Sequence, residues 1–152
     1  MPTFVNGQLW DEIGKANLIL VTTNASVRKD GCLVCGRGAA KEAAERFPTF
    51  SRRCGHKIRF YEREEKIYGI MIFSGILPQG SIGAFQVKYH WKDQADLLLI
   101  AHSVGQLILV SGQYERIAMN FPGTGFGRLA REKVLPLLEP LPDNVIIYEY
   151  EK

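Results

Sequence analysis

The sequence predicts an α/β domain with helices on both faces of its sheet, and three observations support this. Apolar runs of strand length alternate with helix-period patterns along the chain. The run NLILVTT (17–23) has a continuous apolar stretch and is rich in β-branched residues, as in a strand buried on both faces. Three units share the order strand, short loop, helix, and two of those loops are rich in glycine.

The first unit continues from strand 17–23 into GAAKEAAERF (38–47). Here Ala40, Ala43, Ala44 and Phe47 share one helical face, and Glu42 and Arg46 form an i,i+4 pair on another. Pro48 ends that helix. KIRFYEREEKIYGIMIFS (57–74) reads as a hairpin, two β-rich runs around the charged turn EREEK. Residues 82–91, IGAFQVKYHW, read as a strand. A helix follows from about Asp93 as N-cap, with Asp96 in its first turn and a stripe of Leu97, Ile100, Ala101, Val104, Leu107 and Ile108. Strand 116–121, glycine loop 122–127, helix 128–138 and strand 144–150 complete the order.

The 152 residues have the length of one domain, taken here as 1–152, with room for a proper core. A net charge of +3, from 19 basic and 16 acidic side chains, does not demand a nucleic-acid partner. No apolar run approaches the roughly 20 residues that span a bilayer, and MPTFVNGQLW lacks the regions of a signal peptide. Three cysteines, an odd number, argue against a disulfide framework. A cytoplasmic protein with reduced thiols and no membrane partner is expected.

In open α/β sheets ligands lie beyond the carboxyl ends of the strands, where loops 23–37, 88–93 and 121–127 would fall. Glycine lets backbone N–H groups approach an anion, and a helix N-terminus adds partial positive charge. Two such cradles facing each other suit a diphosphate. The same glycines also suit a chain that merely turns, since neither G-x-G-x-x-G nor G-x-x-x-x-G-K-[ST] is present. The first loop also carries C-x2-C (Cys32, Cys35), followed by Cys54 and His56. The C-x-H half is too short for the usual second zinc pair, so no metal is expected and the thiols read as packing. His56, His90 and His102 read as exposed or locally bonded.

Four patches, in order along nearly the whole chain, resemble macro domains, the ADP-ribose-binding modules. They are NGQLWD (6–11), VTTNASVRKDGCLVCGRGAAKEAAERFP (21–48), FQVKYHW (85–91) and FPGTGFGRL (121–129). The single G-x-G after an apolar triplet is similar to the branch of DNA- and glutamate-linked ADP-ribosyl hydrolases. The resemblance implies a three-layer α/β/α domain with a mixed central sheet. It implies ADP-ribose, or an ADP-ribosylated protein or DNA, as partner, and no cofactor. Gln8 then stands where many members place an adenine-binding Asp, Asn24 orients the distal ribose, and Cys35, Gly36, Arg37 and Gly38 lie at the diphosphate. Gly123, Thr124, Gly125, Phe126 and Gly127 form the second phosphate loop. Lys88 matches the nucleophile of the related hydrolases, and Tyr150 would stack on adenine or simply be an exposed terminal residue. Ala130 stands where the family pattern has Asp, and Arg128 replaces a glycine. A reader without turnover therefore stands beside a hydrolase. A nucleic-acid-associated protein stands beside both, through Arg52, Arg53, Lys57, Arg59 and Arg63, a cluster that Glu62, Glu64 and Glu65 interrupt.

Overall fold

A computed structural model describes residues 1–64 and 68–149, with no account of the side chains of 61–64. Its strands are β1 (Thr3–Asn6), β2 (Leu18–Thr23), β3 (Ile70–Phe73), β4 (Ser81–Gln86), β5 (Ile117–Asn120) and β6 (Val145–Glu149). Its helices are α1 (Gly38–Arg46), α2 (Pro48–Glu64), α3 (Leu97–Ser111) and α4 (Arg131–Leu138). The sheet order is β1-β6-β5-β2-β4-β3. Every neighbouring pair is parallel except β3–β4, so the sheet is mixed, with the antiparallel strand at one edge.

Side chains alternate across a strand, and β2 shows why four consecutive residues, Leu18 to Val21, are apolar. Ile19 and Val21 enter a core with Ala39 and Ala43 of α1 and Phe50, Cys54 and Ile58 of α2. Leu18 and Leu20 enter a second core with Ile100, Val104 and Leu107 of α3 and Val134 and Leu138 of α4. Two apolar layers on one sheet make the three-layer α/β/α architecture that was expected.

The hairpin reading of 57–74 is overturned. Residues 57–64 belong to α2, and only the second run becomes a strand, β3; residues 65–67 of the expected turn lie outside the described residues. Local β preference at Ile58 and Phe60 yields to a longer pattern: Phe50, Cys54 and Ile58, four apart, are all buried on one face of α2. Pro48 ends α1 but is also the first residue of α2, where a missing N–H costs nothing. The 82–91 strand stops at Gln86. The N-cap of α3 is Asp96 rather than Asp93; its carboxylate accepts from Leu98 N at 2.8 Å and Leu99 N at 3.1 Å. The α3 stripe is accordingly turned. Ile100, Val104 and Leu107 are buried as expected, together with Leu99, Ser103 and Ser111, whereas Ala101 and Ile108 face outward. The helix at 128–138 begins only at Arg131. β1 and a 3-10 turn at Leu9–Glu12 had no counterpart among the expected elements.

One polar cluster lies under the sheet. Buried Glu12 accepts from Arg116 Nε at 2.8 Å and Nη2 at 2.5 Å, and from the Tyr148 hydroxyl at 2.5 Å. The Arg116 hydrogen bonds hold the Glu12 carboxyl below the usual carboxylate range. Burial, followed by the bond to Glu12, pushes Tyr148 up to about 12. A buried carboxylate with three charge-compatible donors is satisfied and pins three sheet regions together.

Candidate functional site

All five parallel strands end on the same edge of the sheet. After β2 the chain crosses to α1 on one face; after β5 it crosses to α4 on the other. That divergence makes the gap between β2 and β5 the topological switch point, where open α/β sheets form their crevice. Pairing of β2 with β5 runs only from Leu18↔Ile117 to Leu20↔Met119. Beyond it a side chain replaces the backbone ladder: Asn120 Oδ1 accepts from Thr22 N at 3.0 Å, and Asn120 Nδ2 donates to Thr22 Oγ1 at 2.8 Å. Asn120 therefore pins the two strands where they part.

The loop between β2 and α1 is built as a small hairpin. Val27 bridges Leu33, Arg28 N donates to Cys32 O at 2.7 Å, and Gly31 turns at φ +89°. Asn24 is buried and braces the loop from inside: its Nδ2 donates to Val34 O at 3.0 Å, and its Oδ1 accepts from Ser26 N at 2.9 Å. The hairpin rests on α2. Leu33 N donates to Ser51 O at 2.8 Å, and Arg59 Nη2 donates to Arg28 O at 2.9 Å. A Cβ on Gly55 of α2 would lie 1.9 Å from Gly31 O, so only glycine permits this approach. Gly36, Arg37 and Gly38 are exposed at the start of α1, where Arg37 as N-cap makes no side-chain capping bond. The first-turn N–H groups thus have no acceptor within their own helix.

The second glycine loop follows β5. Gly123 has φ +81°, and a Cβ there would lie 2.8 Å from Ile100 Cδ1, which places this glycine under a packing constraint. Gly125 (φ +61°) differs, because a Cβ there would meet nothing within 4 Å. Gly125–Gly127 form a 3-10 turn in which Gly127 N donates to Thr124 O at 3.2 Å and Arg128 N to Gly125 O at 3.0 Å. Among the described residues the N–H groups of Gly125 and Phe126 meet no backbone acceptor. The two loops touch: the Arg37 guanidinium lies 5.1 Å from the Phe126 ring centroid.

The third loop, between β4 and α3, is stitched to both. Trp91 N donates to Ser26 Oγ at 3.1 Å on the first loop. Ala95 N donates to Gly127 O at 2.9 Å, and Gln94 Nε2 to Arg128 O at 3.2 Å, on the second. Lys88 starts this loop, two residues past the end of β4, and is half-buried. Burial lowers its pKa; the Arg128 charge acts the same way, and Asp93 opposes them. Both lowering causes favour the neutral amine.

The remaining candidates are placed as follows. Gln8 is exposed at the end of β1, its carbonyl accepting from Asp11 N at 3.1 Å. Burial pushes the Cys35 thiol up to about 11 and Cys54 well above its usual range. Protonated thiols are poor ligands and nucleophiles. Among the described residues no group of three His, Cys, Asp or Glu side chains is placed to hold a metal. Ala130 is the N-cap of α4 and makes no capping bond, so the position lacks both an acid and a cap. In the basic cluster Arg53 donates to Ser74 O and Arg59 to Arg28 O, so two of its members are tied to backbone oxygens. Tyr150 lies outside the described residues. A groove of about 330 Å³ beside β3 contains no residue of the three loops; it is lined by Lys57, Ile70, Ile72, Gln106, Leu109 and Val110. Sequence reasoning missed Gly55, Asn120 and the cross-loop bonds of Arg128. The polar ending of the apolar run IAMN was the one local sign of Asn120.

No family model and no curated protein matches this chain. Solved structures do. The macrodomain of Mycobacterium tuberculosis DarG superposes with a TM-score of 0.72 at 22% identity, covering 97% of each chain. The macrodomain of Thermus aquaticus DarG gives 0.71 at 22% identity, covering 100% of this chain and 99% of that one. Thermosipho africanus DarTG in complex with ADP-ribose gives 0.72 at 18% identity, covering 99% of this chain and 41% of that chain. No helix of the described residues is long and apolar enough to cross a membrane. At these identities the likeness speaks for architecture, and this chain has the macrodomain fold.

Proposed function

We propose that this protein binds ADP-ribose, free or attached to a protein or DNA, in the cleft between residues 24–38 and 121–127. One observation carries the reading: two loops at the topological switch point meet through Arg37 and Phe126, each presenting backbone N–H groups without backbone acceptors. Such paired cradles suit the two phosphates of a diphosphate. The likeness to a fold solved with ADP-ribose in the Thermosipho protein supports the choice of ligand. Gly36, Gly38 and Gly125 let the phosphates reach the backbone. Asn24 acts mainly as the brace that shapes the first loop, because both ends of its amide are already bonded. Gln8 offers an adenine acceptor that is longer and less polar than a carboxylate.

A second reading, hydrolysis of the ADP-ribosyl linkage, is favoured by one observation: Lys88 opens the third loop, where burial and the Arg128 charge of the second loop both lower its pKa toward the free amine. Attack by that amine on the anomeric carbon would break the bond to the carrier and give a Schiff-base-type adduct. With Ala130 in place of an acid, resolution of such an adduct should be slow. Calorimetric titration with ADP-ribose, with ADP, AMP and NAD as controls, tests binding. No heat or competition with ADP-ribose, together with binding to nucleic acid that weakens steeply with salt, would overturn the proposal.

A further inference from the structure

We infer that Arg128 is a ligand-contacting residue whose guanidinium holds the anionic diphosphate of the ligand against the second glycine loop. The inference rests on the reading above that the cleft takes such a ligand.

The first observation concerns the backbone. Arg128 lies at φ 62°, ψ 17°, and it is the one non-glycine residue with positive φ among those described. A residue with a Cβ is disfavoured there, whereas glycine is not. The surroundings dictate the conformation. Arg128 N is bonded to Gly125 O and its carbonyl to Gln94 Nε2, while Gly127, one residue before, is bonded to Ala95 N and packed against Ala95. Glycine would satisfy all of these backbone contacts without strain. What arginine adds is its side chain, and strain tolerated at a cleft points to function rather than to stability.

The second observation concerns where that side chain goes. One donor, Nη2, reaches Lys92 O at 3.2 Å across the gap to the third loop, so the head is tethered at the junction of the two loops. A guanidinium has five N–H donors in a planar fork that matches phosphate oxygens in pairs. Its charge is felt at Lys88 on the third loop, where Asp93 acts in the opposite sense. Arg37 of the first loop lies over Phe126, two residues before Arg128. An anion seated on the N–H groups of Gly125 and Phe126 would therefore draw on one guanidinium from each glycine loop. The same charge disfavours protonation of Lys88, so Arg128 would also poise the neighbouring amine.

Two variants test the assignment by the opposite signs they should produce. Arg128→Gly removes the strain with the side chain; Arg128→Gln keeps the strained backbone and a donor for Lys92 O but removes the charge. Melting temperature and calorimetric affinity for ADP-ribose are measured at two salt concentrations, with adenosine as the uncharged control. Arg128→Gly should melt at or above the native temperature yet bind ADP-ribose at least tenfold more weakly. Arg128→Gln should lose similar affinity, and both should show a shallower salt dependence. Native affinity in either variant would overturn the inference while leaving the ADP-ribose reading intact, as would a joint fall in melting temperature and affinity of Arg128→Gly, the mark of a structural role. Failure of the native protein itself to bind ADP-ribose would instead remove the reading on which the inference stands.

Discussion

Substituting Gly55 by alanine tests whether α2 is the platform of the first loop. The added Cβ would lie 1.9 Å from Gly31 O, 2.9 Å from Gly31 C and 3.0 Å from Cys32 C. These are backbone atoms, so no rotamer change relieves the overlap; helix and loop must separate by more than 1 Å to restore contact. Alanine gains about 1 kcal/mol of helix propensity over glycine. Against this stands overpacking, at the upper end of about 1–3 kcal/mol because nothing flexible yields. Separation would also weaken the bonds Leu33 N to Ser51 O and Arg59 Nη2 to Arg28 O, at roughly 1 kcal/mol each. The net expectation is a loss of about 2–4 kcal/mol, or roughly 5–15 °C in melting temperature for a chain of this size. Chemical denaturation and a thermal melt read it directly. Gly105 of α3 is the control, a helical glycine whose added Cβ meets nothing within 4 Å; Gly105→Ala should stabilise by about 0.5–1 kcal/mol. A Gly55→Ala protein as stable as native, or stabilised like the control, would refute the close approach and the platform with it.

Glu12 should make stability fall in acid. Because Arg116 lowers its folded pKa, its contribution is complete above the ordinary carboxylate value and is lost as pH falls through the folded one. Glu12→Gln should cost roughly 2 kcal/mol at pH 7, less than a fully buried pair because Arg116 keeps 44% of its side-chain exposure, and should flatten the acid limb of a stability–pH curve; an unchanged limb would assign acid sensitivity elsewhere. Gly125→Val fills open space at the second loop and should weaken ADP-ribose binding at least tenfold, about 1.4 kcal/mol, so unchanged affinity in a folded variant would sink the paired-cradle proposal. If the native protein releases ADP-ribose from a carrier, Lys88→Ala should abolish release while leaving affinity for free ADP-ribose within a few-fold, and the native rate should rise with pH as the amine loses its proton; release by the variant at the native rate would eliminate the amine mechanism.

Local chemistry made part of this protein legible in its sequence. The first four residues of β2, Leu18 to Val21, are all apolar because both faces of the strand are covered, and that condition leaves its mark within consecutive residues. The glycine loop 122–127 was equally visible, since positive φ at Gly123 and Gly125 calls for glycine itself. α2 was not legible, because Ile58 and Phe60 carry a local β preference that is overruled only when Phe50, Cys54 and Ile58 find one core. The sequence pointed to Asp93 as the cap of α3, with Asp96 inside the first turn, whereas the structure caps it with Asp96. What decided between them was Asp96 N reaching Val87 O and the carboxylate reaching the first free N–H groups of α3. Tertiary structure alone joined Glu12 to Arg116 and Tyr148, 104 and 136 residues away. It alone set Gly55 against Gly31, Asn120 across the splayed strands, and Arg128 in a left-handed bend between two loops. The physical reason is range. Periodicity, capping and turn preferences act over a few residues and are written in neighbouring letters, whereas close backbone approach and buried charge pairing depend on segments that become neighbours only after the sheet has ordered its strands.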